Sequence, residues 1–217
     1  APSASTKGKN MARVYIFKGF ERFWHWTQAL LIITMLVTGF EVHGTYQLLG
    51  WSKAADLHTT SAWGLMALWV FAIFWHFTTG EWRQYIPTTH KMIDVALFYA
   101  FGIFKGEHHP YLKTKNRKHN PLQRVAYLGV KLFINPLLWC SGLFYLFYNQ
   151  LGTVGLGGMP LGLIALAHTV GAFLMLLFLI AHVYLGTAGH TPTAHFKAMI
   201  TGWDDDVNEE PQGAKAQ

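Results

Sequence analysis

Four long apolar stretches separated by polar connections dominate the chain. They run from about Phe23 to Val42, Thr59 to Thr79, Val125 to Tyr148 and Leu163 to Thr187. Twenty helical residues rise about 30 Å, the thickness of a bilayer hydrocarbon core, so each stretch predicts a membrane-spanning helix. The expectation is an all-α integral membrane protein, a single domain over residues 1–217 built as a four-transmembrane-helix bundle. Residues 43–58 read as a short connection with His58 opening the second span. Residues 80–124 are polar and basic. Within them Met92–Phe104 is weakly apolar, too short to span and broken by Gly102, and so predicts an interfacial or loop helix. Gly152–Gly162 is a glycine-rich turn, residues 186–203 are partly amphipathic, and the acidic 204–217 segment predicts a mobile tail. Residues 1–12 are small and polar, predict disorder or a surface position, and carry no apolar core of a secretory signal.

Composition agrees with this pattern: 52% of the 217 residues are hydrophobic, 16% aromatic and only 13% charged. The basic residues give the orientation. Five Lys and Arg precede Phe23 and eight lie in 80–124, whereas the other two connections hold Lys53 alone. The positive-inside rule then puts both termini and the 80–124 segment in the cytoplasm. The net charge of +6 follows this side bias, since basic residues avoid the apolar runs, and it does not indicate nucleic-acid binding. The single cysteine, Cys140, excludes a disulfide within the chain, a Cys-x-x-Cys-His haem attachment and a cysteine set for zinc or iron–sulfur.

The chemistry lies in the histidines. The fourth span, LIALAHTVGAFLMLLFLIAHVYL, is apolar except for His168 and His182, which are 14 residues apart. At about 100° and 1.5 Å per residue they share one face and stand about 21 Å apart along the axis. An ionisable group near each end of an apolar helix is a site hypothesis, here that each imidazole holds the iron of a non-covalent, b-type haem. Topology gives depths to the other ligands. His25 begins the first span at the inner face and His58 the second at the outer face, so His25 pairs with His182 and His58 with His168. Two haem b and a relay across the bilayer follow. Gly39, Gly64 and Gly171 are candidates for close approach to a porphyrin, and Arg13 and Arg22 for its propionates. His76, also near the inner edge, competes with His25. His43, His90, His108, His109, His119, His190 and His195 read as loop residues. Three other readings stay open: a haem-free histidine-lined transporter or proton channel, a structural anchor whose histidines only pack, and the same cytochrome run in either direction.

ERFWHWT, LHTTSAWG, HNPLQRVAY, HTVGAFLMLLFLIAH and HFKAMITGW, spread over nearly the whole chain, resemble the cytochrome b (gamma) subunit of membrane-bound respiratory formate dehydrogenases and the related thiosulfate-reductase and hydrogenase cytochromes b. The resemblance implies His25, His58, His168 and His182 as axial ligands. It also implies a quinone site, for menaquinone or ubiquinone, beside the inner haem at His182, with the loop before the third span contributing Asn120 and Gln123. That loop in the family reads N-A-G-Q, and Pro121 and Leu122 replace its middle pair here. Asn120 reads equally as the N-cap of the third span. The implied function is electron relay between the quinone pool and an iron–sulfur or multihaem subunit on the outer face. Substrate chemistry then belongs to a separate catalytic subunit. The opposite direction, quinol oxidation feeding a periplasmic reductase, uses the same scaffold.

Overall fold

The computed structural model describes residues 11–107, 110, 111, 118–153, 155, 158–189 and 191–208. Four helices are long and apolar enough to cross a membrane: α1 Gly19–Val42, α2 Trp51–Thr79, α4 Pro121–Leu146 and α6 Leu161–Gly186. Shorter elements are α3 Met92–Ala100, α5 Tyr148–Thr153, α7 Ala194–Thr201, and 3-10 turns at Glu81–Tyr85 and Gly102–Lys105. Strands β1 Met11–Tyr15 and β2 Trp203–Asn208 pair antiparallel.

The chain forms two compact units. The first comprises Trp26–Gly80 and Val125–Tyr184. Its outside is apolar, and polar side chains lie among the apolar ones within. Leu30, Phe71, Phe74, Phe133, Leu166 and Leu177 are exposed, whereas Thr38, Ser61, His76, Asn135 and Ser141 are buried. Water would reverse that distribution, and lipid favours it. Contacts run in opposite order along α1 and α2, from Gln28 with Trp69 to Thr38 with His58. They do so again along α4 and α6, from Tyr127 with His182 to Ser141 with His168, so both pairs are antiparallel. Gly171 lets Leu138 approach, since a Cβ there would stand 3.0 Å from its side chain.

Helix α2 begins at Trp51, so His58 lies two turns inside it and the connection shrinks to residues 43–50. WSKAADL is too polar for an apolar window to include, yet it is helical, with Ala54 buried. Glu41 builds the turn before it. Its carboxylate accepts N–H groups from Leu48 at 2.7 Å, Leu49 at 2.6 Å and Gly50 at 2.8 Å. Helix α4 widens into a π turn over Val130–Ile134. Pro136 accounts for it, because its ring crowds the carbonyl four residues earlier and it has no N–H to give.

The second unit comprises the chain up to His25, Glu81–Arg124 and the chain from Leu185. Residues 203–208 form a strand, so the tail read as mobile from residue 204 is ordered as far as Asn208, and the strand's partner begins at Met11. The cause is Gly202, at φ +88°, where a Cβ would meet Tyr15 at 2.5 Å and the Phe17 carbonyl at 2.8 Å. The chain turns there, and Trp203 packs edge-on against Tyr15. Lys118 is buried between carboxylates, 2.8 Å from Glu21 and 3.1 Å from Glu81, and Lys18 reaches Glu81 at 2.7 Å.

Candidate functional site

His58 on α2 and His168 on α6 face each other in the first unit, with ring centroids 6.2 Å apart and planes at 68°. Behind each stands a hydroxyl. Thr38 Oγ1 donates its proton to the Thr34 carbonyl at 2.7 Å, so its lone pairs are left to accept Nδ1–H of His58 at 3.2 Å. Ser141 Oγ likewise donates to the Leu137 carbonyl at 2.5 Å and accepts Nδ1–H of His168 at 3.0 Å. With Nδ1 protonated, Nε2 of both neutral imidazoles carries the lone pair that binds a metal. A glycine follows each hydroxyl. A Cβ on Gly39 would stand 3.2 Å from Cε1 of His58, and one on Gly142 3.2 Å from Cε1 of His168.

This geometry fits a haem iron. Two imidazoles with ring centroids 6.2 Å apart would hold one haem iron between them. The donor set agrees, because neutral nitrogen ligands whose other N–H is hydrogen-bonded are the usual axial partners. Among the described residues no group of three or more His, Cys, Asp and Glu gathers as a metal site. Of the three glycines singled out in the sequence, Gly39 abuts a histidine, Gly171 serves helix packing and Gly64 meets Leu31 at an ordinary 3.7 Å. Thr38, Ser141 and Gly142 were not singled out. The signal was a hydroxyl–glycine pair in each of two apolar spans.

His182, in the same unit, is stacked on Phe178 at 5.7 Å and 19°, with Tyr127 edge-on at 6.3 Å. His76 is buried, and its Nδ1–H donates to the Ala72 carbonyl of its own helix at 2.6 Å. His25 is half-buried in the initial stretch of α1 that belongs to the second unit.

Asn120 and Gln123, also in the second unit, form a reciprocal capping box at the start of α4. Asn120 Oδ1 accepts from the Gln123 N–H at 2.8 Å, and Gln123 Oε1 from the Asn120 N–H at 3.0 Å. Asn120 Nδ2 donates to the Tyr99 hydroxyl at 3.2 Å. Burial pushes the Tyr99 phenol above its ordinary value, against the pull of that bond. Beside the box, His119 stacks on Tyr85 at 5.2 Å, and Arg124 donates to the His119 and Ile86 carbonyls at 3.1 and 3.2 Å. The arginines assigned to propionates have other partners in the second unit. Arg22 donates to the Ile200 carbonyl at 2.6 Å, and Arg13 lies over the Trp203 ring at 5.4 Å. His108, His109 and His190 lie outside the described residues.

Residues 16–202 match the family described as prokaryotic cytochrome b561. The chain is also 33% identical over 198 residues to the Escherichia coli (strain K12) protein "Putative cytochrome YdhU", covering 88% of this chain and 74% of that one. No solved structure matches.

Proposed function

The chain belongs to the prokaryotic cytochrome b561 family, a family of haem b membrane cytochromes, and from that premise we propose a dihaem subunit that relays electrons across the membrane between an outer-face redox partner and the quinone pool. The observation that carries the reading is the His58–His168 pair, two imidazoles 6.2 Å apart with both Nδ1 protons spent on hydroxyls. Bound there, haem b supplies one-electron ferric–ferrous chemistry. The chain holds the ligands in one tautomer and surrounds them with apolar helix. His25 and His182 are assigned to the second haem on the sequence pattern alone, their place in the chain and the 14-residue spacing on α6.

The partner in this reading is an iron–sulfur or multihaem subunit joined to a catalytic subunit, formate-dehydrogenase-like in arrangement. One cysteine cannot hold a cluster, so the primary substrate is handled elsewhere. Electrons flow inward, and menaquinone or ubiquinone is reduced near the cytoplasmic face, at Asn120 and Gln123, with His182 assigned to that site on the sequence resemblance alone. What supports Asn120 is chemistry: a quinone carbonyl accepting from its Nδ2 would replace the Tyr99 hydroxyl. Both termini face the cytoplasm on the distribution of Lys and Arg.

The test is a reduced-minus-oxidised spectrum of the complex purified from its native membrane, with its subunits identified. A b-type α band reduced from the partner side and reoxidised by quinone is expected. Reduction by quinol only, with the partner as acceptor, reverses the direction. A spectrum without haem leaves a histidine-lined channel in its place.

A further inference from the structure

We infer that Thr38 and Ser141 are matched positioning residues for the His58–His168 haem, one for each imidazole, and that together they set that haem's reduction potential. The inference rests on the haem reading above.

The two helix pairs have different sequences here, Thr-Gly-Phe on α1 and Ser-Gly-Leu on α4, yet each builds the same arrangement. A hydroxyl residue in an apolar helix bonds the carbonyl four residues back and keeps its lone pairs for a lateral donor. Thr38 and Ser141 both do this, and both receive the Nδ1 proton of a histidine on the neighbouring helix. The Met35 and Leu138 carbonyls, each three residues before its hydroxyl, also lie 3.4 and 3.2 Å from Thr38 Oγ1 and Ser141 Oγ, so both hydroxyl protons face their own helix. With the hydroxyl protons given to their own helices, each oxygen accepts the Nδ1 proton, which directs Nε2 away from the cradle. The glycine one residue on, Gly39 or Gly142, is what allows the ring so close, since a Cβ would stand 3.2 Å from it in both places. The first and second halves of the bundle thus contribute equivalent half-sites, although the sequence shows no internal repeat.

The consequence is electronic as well as positional. An acceptor on Nδ1–H makes the imidazole more basic at Nε2, which favours ferric over ferrous iron. Taking the acceptor away weakens that preference and raises the potential. Both imidazoles are unchanged in each variant, so the haem should stay bound.

The experiment uses the full chain in its native complex, as Thr38→Val, Ser141→Ala, the double variant, and Thr38→Ser as the conservative control. Haem per chain is measured by pyridine haemochrome, and each b component is titrated potentiometrically at its α band. The expected result is unchanged haem content and an upward shift of one component in each single variant. The shift is larger in the double variant, with the other component unmoved and Thr38→Ser like the parent. Loss of that one component alone would support the same role more severely. An unmoved potential in the double variant with haem intact overturns the inference and leaves the cytochrome reading standing, as does equal loss of both components. A parent chain without haem overturns the reading and the inference with it.

Discussion

His168 and His182 stand 14 residues apart on one helix, in unlike surroundings. His168 meets a hydroxyl, a glycine and a second histidine. His182 meets the flat face of Phe178 and the edge of Tyr127. Both are half-buried in the same apolar helix, so depth in the bundle does not separate them. What touches each ring does. Hydrogen bonding and burial around the axial ligand tune a haem's potential over a wide range. Two haems on these two ligands would therefore differ in potential, and a relay with a direction needs that difference.

The largest expected effect is on the count of cofactors. Replacing His58 or His168 with alanine removes one b-type component completely and leaves the other, measured as haem per chain. Either variant keeping its full complement breaks the contrast between the two ends. Replacing Gly142 with valine should act on the same component, because even a Cβ stands 3.2 Å from the His168 ring. Partial occupancy or a broadened ferric EPR signal is expected, with the His182 component untouched.

Next is the ionic cluster of the second unit. Lys118 is 4% exposed and held by Glu21 and Glu81. Removing its charge with Lys118→Met leaves the buried Glu21 carboxylate without this cation and Glu81 with Lys18 alone, at a cost of about 3 kcal/mol. Thermal unfolding in detergent should show it, while the His58–His168 spectrum stays unchanged at low temperature. Asn120→Ala should be milder, about 1 kcal/mol for the lost cap. Quinone turnover should also fall with haem content intact. A stability loss with unchanged quinone kinetics would reduce Asn120 to its capping role.

The smallest effect is a pH dependence. Burial by itself would raise the Glu81 carboxyl, but hydrogen bonds and charge from Lys18 and Lys118 outweigh it and hold it below the usual carboxylate range. Its contribution is full above the ordinary carboxylate value and is lost as pH falls through the lowered one. The hydrogen bond to Glu81 raises Lys18, against some burial, so its contribution is full below the ordinary lysine value and is lost only as pH rises past the raised one. The contribution of this ion pair should be flat across neutral pH and fall at both extremes. A transition near neutrality would contradict that.

The four spans were legible because hydropathy alone specifies them, and His58 and His168 because an imidazole in such a run stands out. The start of α2 was not, since residues 51–57 are helical without being continuously apolar. The β1–β2 pairing was not, because its partners lie at opposite ends of the chain. Asn120 was legible as an N-cap and it caps α4, whereas Gln123, read only as a quinone-site residue from the resemblance, closes the box from the other side. Thr38 and Ser141 were silent for a physical reason. A hydroxyl that bonds its own helix carbonyl is tolerated anywhere in a span, so its presence says nothing until the neighbouring helix is placed beside it.

The most direct test is an experimental density map of the purified complex at a resolution that shows side chains. The account predicts a porphyrin between His58 and His168, with both Nε2 atoms on its iron and the Thr38 and Ser141 hydroxyls behind the rings. A map with both rings ordered and no porphyrin between them would contradict it.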